Sequence, residues 1–190
     1  SYFFKRKDSL RNLMLICISA LIICLPYFWY TNSLTGKLFY PGNAGGMSLY
    51  WMSTPYNNEL GDWQAESLDK NPGLMKNHKS FFKDIETLGS VQKDEALKKK
   101  GINNIRKHPG KFLKNWLANI SRMLFSYPFS YTYQKLTTFF YLIPNMFIVV
   151  VSFLLIYPSC KACRRIPDEI WTVLILAFIF FVSSSLVSAY

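Results

Sequence analysis

Residues 136–157 read LTTFFYLIPNMFIVVVSFLLIY and decide the fold class, because these 22 residues carry no charge. Two further stretches are also uncharged: residues 12–30, NLMLICISALIICLPYFWY, and residues 170–190, IWTVLILAFIFFVSSSLVSAY. A bilayer core is about 30 Å thick, and a helix needs about 20 apolar residues to cross it. Helices of soluble proteins ordinarily carry a polar stripe, which all three stretches lack. The sequence therefore predicts a mainly α, polytopic membrane protein with three transmembrane helices.

Cations in the short flanks predict the orientation of these helices. They are Lys5, Arg6, Lys7 and Arg11 before the first stretch, and Lys161, Arg164 and Arg165 between the second and third. Short flanks rich in Lys and Arg stay in the cytoplasm. Residues 1–11 and 158–169 are then cytoplasmic, and residues 31–135 form an extracytoplasmic loop region of about 105 residues that contains helices. We expect an integral protein of the plasma or inner membrane with a cytoplasmic N-terminus.

The start of the chain does not resemble a secretory signal peptide. Such peptides have a short apolar region followed by small residues at a cleavage site. Here the first apolar stretch ends in the bulky sequence PYFWY, which resembles an aromatic belt at a membrane interface. The sequence opens on Ser1, and we expect it to be a piece of a longer protein with further residues upstream.

Charge and cysteine content narrow the function classes. The net charge is +11, but much of it lies outside the cell or beside the apolar stretches, so we predict no nucleic-acid partner. The four cysteines are Cys17, Cys24, Cys160 and Cys163. The C-x-x-C pair in the short loop has no second ligand pair for zinc and fits reduced thiols or lipid attachment. We predict no metal site and no cofactor.

The outer loop divides into three parts. Residues 31–63 are rich in turns, and SLYWM within them could be a short strand or extended piece. Residues 64–107 look helical, with Ser90 as a helix N-cap and Lys98–Lys100 as either a solvated face or a contact for anionic lipid or a lipid-linked phosphate. Residues 109–125 have helical apolar spacing and a basic opposite face. This last helix lies in the membrane interface or simply leads the chain back to the membrane.

Three ordered segments resemble a known family. They are LPYFWYTN at residues 25–32, GGMSLYW at residues 45–51 and IRKHPGKFL at residues 105–113. Their order and spacing resemble the later part of GT-C type membrane glycosyltransferases, the group that includes protein mannosyltransferases and the lipid A aminoarabinose transferase. Thr31 departs from the pattern, which usually has Arg before Asn32.

The resemblance implies sugar transfer outside the cytoplasm from a polyprenyl-phosphate-linked donor to a glycan, lipid or protein acceptor, with membrane lipids as further partners. It places the family's catalytic carboxylate near the protein's start, and no residue here matches it, so we assign no catalytic residue and expect the isolated chain to be inactive. Residues 40–63 would then line the cavity where donor and acceptor meet, because aromatic rings stack on sugars and glycines allow close backbone approach. The candidate substrate-binding residues are Asn43, Gly45, Gly46, Tyr50, Trp51 and Asp62.

Other interpretations stay open at this point. The Trp and Tyr rings of residues 40–63 could serve only as interface anchors, and Asp62 could be a turn or helix cap. The chain could also be a non-catalytic three-span membrane protein whose outer loop binds a partner or glycan. A transporter fragment fits poorly, because the charged residues avoid the apolar stretches.

Overall fold

A computed structural model describes residues 7–37, 40, 42, 44–64, 71–131, 136–162 and 166–186. Within these residues the chain is helical and contains no strand, which confirms the mainly α fold class. The helices are α1 (Lys7–Thr35), α2 (Ala44–Met52), α3 (Pro72–Ile85), α4 (Ser90–Lys107), α5 (Pro109–Phe125), α6 (Leu136–Lys161) and α7 (Asp168–Ser185). The flanking cations Lys5, Arg6, Arg164 and Arg165 lie outside this description, and the orientation across a membrane stays a prediction.

The first compact unit of the chain, residues 1–42, contains α1. Its segment Met14–Thr35 has 22 residues and a mean hydropathy of 1.9. Only 6% of its most apolar 18-residue stretch is buried within the protein. At 1.5 Å per residue this segment is about 33 Å long, enough to cross a bilayer core. Gly36 then ends the helix with φ +70, and its N–H bonds the Asn32 carbonyl at 2.8 Å. A glycine just past the last turn is the usual residue for this left-handed cap.

The second unit, residues 43–190, contains the other six helices of the described chain. Its helix α2 includes the segment SLYWM, so the expected strand or extended piece was wrong. The aromatic residues of this segment favour strands in isolation, but here they pack as one side of a helix against α3 and α4. Tertiary packing therefore decided the local conformation.

Helices α2 and α4 cross closely at two glycines. The Gly46 N–H on α2 bonds Asp94 Oδ1 on α4 at 2.6 Å, and a Cβ at Gly46 would lie 2.2 Å from the Asp94 carbonyl oxygen. The second glycine is on α4: Gly101 faces Leu49 on α2, and a Cβ at Gly101 would lie 3.0 Å from Leu49 Cγ. Missing side chains on both helices therefore bring the two backbones together.

A core rich in aromatic residues lies between α2, α3 and α4. Its buried members are Met47, Tyr50, Trp51, Leu74, Ile85 and Leu97. The Tyr50 ring stacks on Phe81 with centroids 5.1 Å apart, and Trp51 stacks on Phe82 at 5.9 Å. Such ring pairs stabilise a core beyond the area they bury.

The region 64–107, expected to be helical, contains two helices with distinct starts. Asn71 caps α3: its side-chain oxygen accepts from the N–H groups of Gly73 and Leu74, with Pro72 in the first helical position. For α4 the expected cap was wrong by one residue, since Gly89 is the N-cap and Ser90 is the first helical residue. Gly89 has an extended backbone and makes no side-chain cap, so polarity at Ser90 misplaced the boundary.

Helices α6 and α7 are apolar and largely exposed. The segment Phe139–Lys161 has 23 residues and a mean hydropathy of 2.4, and none of its most apolar window is buried. The apolar part of α7, Glu169–Ser185, has fewer than 18 residues, about 26 Å of helix. Two helices of the described residues, in α1 and α6, are thus long and apolar enough to cross a membrane, whereas the third span stays a prediction.

Candidate functional site

The twelve-residue loop after α2, residues 53–64, carries two buried acidic residues, Glu59 and Asp62, and α5 holds it in place. Asn115 on α5 is fully buried, and its Nδ2 donates to the carbonyls of Met52 and Thr54, both at 3.0 Å. Gly61 turns the loop with φ +76, and a Cβ there would lie 3.0 Å from Asn115 Cβ. One amide side chain from a distant helix therefore pairs the carbonyls of Met52 and Thr54 at the start of the loop, as buried carbonyls require.

Two cations on the same face of α5 extend this contact. Lys111 Nζ donates to the Glu59 carbonyl and, at 2.6 Å, to Asn115 Oδ1. Arg122 Nη1 donates to the carbonyls of Leu60 at 3.2 Å and Pro128 at 3.0 Å. Burial lowers the pKa of both Lys111 and Arg122, because their charged forms lose hydration. We call Lys111, Asn115, Asn119 and Arg122 the polar stripe of α5.

Glu59 is the most heavily bonded carboxylate of the loop. It is 2% exposed and accepts hydrogen bonds from Thr54 Oγ1, from Asn77 Nδ2 at 2.6 Å and from His78 Nε2 at 3.0 Å. Burial by itself raises the pKa of Glu59, but the bonds from His78, Thr54 and Asn77 outweigh it and hold the pKa below its ordinary value. Glu59 is therefore a charged acceptor at neutral pH.

His78 joins Glu59 to the aromatic core. Its Nε2 faces the Glu59 carboxylate, and its Nδ1 lies 2.6 Å from the Tyr50 hydroxyl. Burial raises the pKa of Tyr50 above its ordinary value, so this hydroxyl keeps its proton at neutral pH. Nε2 donates to Glu59, because a carboxylate can only accept. The order Tyr–His–Glu resembles a catalytic triad in its bonding. However, Tyr50 is 4% exposed and stacked between rings, so the hydroxyl has no path to a substrate.

Asp62 is tied to the segment that follows α5. Its carboxylate accepts from Ser130 Oγ, from the Ser130 N–H at 3.1 Å and from Gln64 Nε2 at 2.6 Å. Ser130 Oγ in turn accepts from the Leu60 N–H at 2.7 Å. Asp62 and the Leu60 N–H thereby fasten the second half of the loop to Ser130.

A narrow crevice reaches both the Glu59 and the Asp62 carboxylates. It is lined by Trp51, Thr54, Glu59, Gly61, Asp62, Gln64, Leu74, Ser130 and Tyr131. The space is too narrow to admit a water-sized sphere, so no sugar fits it in this conformation. Burial and the nearby Glu59 charge raise the pKa of Tyr131 to about 12, which keeps its hydroxyl protonated as a donor to Glu59.

The sequence-predicted site residues do not share one environment in the structure. Asn43 lies outside the described residues. Gly45 is exposed with open space around it, whereas Gly46 is packed against α4. Tyr50 and Trp51 are core residues, and Trp51 and Asp62 line the same crevice. Their role in substrate binding stays a prediction.

Sequence reasoning missed the residues that organise the loop: Glu59, His78, Asn115 and Arg122. One signal was available, because Lys111, Asn115, Asn119 and Arg122 follow one another at intervals of four, four and three residues along α5. This spacing puts them on one helix face, the basic face opposite the apolar one. No local pattern pairs His78 with Glu59, which are 19 positions apart.

A second feature is an open basic groove on α4. It has a volume of about 890 Å³ and is lined by Phe81, Glu95, Ala96, Lys98, Lys99, Lys100, Ile102, Asn103 and Arg106. The Lys100 ammonium lies 5.6 Å from the centroid of the Phe81 ring, a cation–π contact. Four cations therefore surround an apolar floor formed in part by Phe81 and Ile102. The groove has the charge and size to hold an anionic group attached to an apolar body.

No family model, no curated protein and no solved structure matches this chain.

Proposed function

We propose that this chain is part of an integral membrane glycosyltransferase that uses a polyprenyl-phosphate-linked sugar donor, and that the basic groove binds the donor's phosphate. The groove is the observation that carries the proposal. Three of its cations are consecutive, Lys98–Lys100, and Arg106 adds a guanidinium suited to bidentate phosphate contacts.

The position of the groove in the chain supports a membrane-bound ligand. Arg106 is three residues before α5, and α6, an apolar helix of bilayer length, begins eleven residues after α5 ends. A phosphate that is anchored by a polyprenyl tail stays at the membrane surface, within reach of a domain tethered there. Sugar transfer is proposed because residues 25–32, 45–51 and 105–113 resemble the GT-C pattern.

A second function is favoured by the state of the loop carboxylates. Glu59 and Asp62 are buried, accept several hydrogen bonds each, and line a crevice that excludes water. Neither is placed to take a proton from an acceptor in this conformation. A non-catalytic membrane protein whose outer domain binds a glycan or another partner has no need of such a base.

Lipid binding tests the groove directly. The full chain in nanodiscs is titrated with radiolabelled polyprenyl phosphate, with the phosphate-free polyprenol as a matched ligand. Lys99→Glu/Arg106→Glu reverses two groove charges, and Lys76→Glu/Lys79→Glu makes the same change on exposed positions of α3. At about 1 kcal/mol per cation near an anionic lipid, we expect the groove pair to weaken polyprenyl phosphate binding tenfold or more.

The outcomes separate the alternatives. Equal losses for both variant pairs would mean general electrostatic attraction and refute the groove. Equal binding of polyprenol would show that the phosphate is not recognised. Sugar transfer is then measured in cells that lack this protein and are complemented with the natural gene or the groove variant. Intact lipid binding without any loss of transfer on gene deletion would favour the non-catalytic function.

A further inference from the structure

Helix α5 is amphipathic in the reverse sense from a helix of a soluble domain. Asn115 and Asn119 are fully buried and Arg122 is 4% exposed, whereas Leu113 is 51% exposed and Leu117 is 56% exposed. In a water-soluble domain the apolar face turns to the core and the polar face to solvent. Here the polar stripe faces the domain interior, and the apolar face of the helix turns outward.

The burial of the polar stripe is specified by its hydrogen bonds. Its side chains donate to backbone carbonyls of Met52, Thr54, Glu59 and Leu60, which lie 52 to 63 positions away in sequence. Turning α5 over to hide its leucines would leave these donors and acceptors unpaired, and each unpaired buried polar group destabilises the fold. The buried hydrogen bonds of the polar stripe therefore keep Leu113 and Leu117 on the outward face of α5.

The carboxyl end of the apolar helix α7 contacts α5. Trp116 Nε1 donates to Ser185 Oγ at 2.8 Å, and Asn119 Nδ2 donates to the Ser185 carbonyl at 2.7 Å. Ser185 is the last residue of α7 and is fully buried by this contact. The end of an apolar helix thus meets α5 at Trp116 and Asn119.

We infer that the apolar face of α5 lies in the lipid bilayer at the boundary between headgroups and acyl chains, with α5 parallel to the membrane surface. Leu113, Leu117 and Met123 enter the lipid, while the exposed Lys114 reaches the headgroups. The loop of residues 53–64 is bonded to the opposite face of α5. It consequently lies about one helix diameter, roughly 10 Å, above the apolar boundary.

This inference goes beyond the proposed function and does not depend on it, since it concerns lipid contact rather than sugar transfer. It is tested with single spin labels on the full chain in nanodiscs after replacement of the four native cysteines by serine. Labels are placed at Leu113→Cys and Leu117→Cys, with Leu88→Cys, between α3 and α4 and 41% exposed, as a control outside the basic groove. Oxygen concentrates in lipid, and a nickel chelate stays in water, so their collision rates with the label report depth.

We expect labels at Leu113 and Leu117 to collide several times more often with oxygen than with the nickel chelate, and the label at Leu88 to show the reverse. Labels on α5 that match Leu88 would place the helix in water and overturn the inference. Labels that are immobilised and shielded from both reagents would also overturn it, since protein and not lipid would then cover the face. A sugar-transfer assay plays no part in either outcome.

Discussion

Gly46→Ala tests whether the crossing of α2 and α4 holds helices α2 to α5 together. The added Cβ would lie 2.2 Å from the Asp94 carbonyl oxygen and 2.5 Å from Asp94 Oδ1. Ordinary contact begins near 3.4 Å, so the helices must separate by about 1 Å at this point. That movement stretches the 2.6 Å bond from the Gly46 N–H to Asp94 and disturbs the packing of α2 against α4.

The size of the effect follows from three contributions. Loss of a hydrogen bond to a charged acceptor costs about 1.5–3 kcal/mol. Overpacking a tight contact costs about 1–3 kcal/mol. Alanine in place of glycine returns up to about 1 kcal/mol through helix propensity. We expect a net destabilisation of about 3 kcal/mol, which lowers the melting temperature of a domain of this size by more than 10 °C.

Gly45→Ala provides the matched control. Gly45 is the neighbouring residue on α2, and a Cβ there meets no atom within 4 Å. Its melting temperature should equal or slightly exceed that of the unsubstituted chain. Unfolding is followed by intrinsic tryptophan fluorescence of the full chain in nanodiscs. If the two alanine variants melt together, the close helix crossing does not exist as described and the reasoning fails.

Two further substitutions examine the loop. Asn115→Ala removes both bonds to the carbonyls of Met52 and Thr54, and should cost about 2–4 kcal/mol in thermal unfolding; Asn103→Ala, on an exposed position of α4, should change stability by less than about 0.5 kcal/mol, and similar losses in both would contradict the assigned role. Glu59 has a folded-state pKa below its unfolded value, so its stabilisation is present above about pH 4.5 and is lost as the pH falls through the folded pKa. The unsubstituted chain should therefore lose more melting temperature between pH 6 and pH 3 than Glu59→Gln does, and parallel pH curves would argue against a charged Glu59.

The sequence by itself determined the apolar helices and the helical class of the domain. Uncharged runs of about 20 residues have few alternatives to helices, because every backbone polar group must be paired locally when no water is near. Helix α5 was also foreseen with the bounds 109–125, since Pro109 and the 3.6-residue apolar spacing both act within the segment. Such features depend on neighbours along the chain and can be read from it.

Only the tertiary structure decided which face of α5 is buried, whether SLYWM is helical, and where the loop carboxylates find their partners. The apolar spacing of α5 identifies two faces but not their surroundings, and the loop carbonyls that bury its polar stripe lie more than 50 positions upstream. Likewise, the conformation of α2 is set by Gly101 and Asp94 on α4, and the state of Glu59 is set by His78 on α3. These are contacts between distant segments, and their energies enter only when the helices pack.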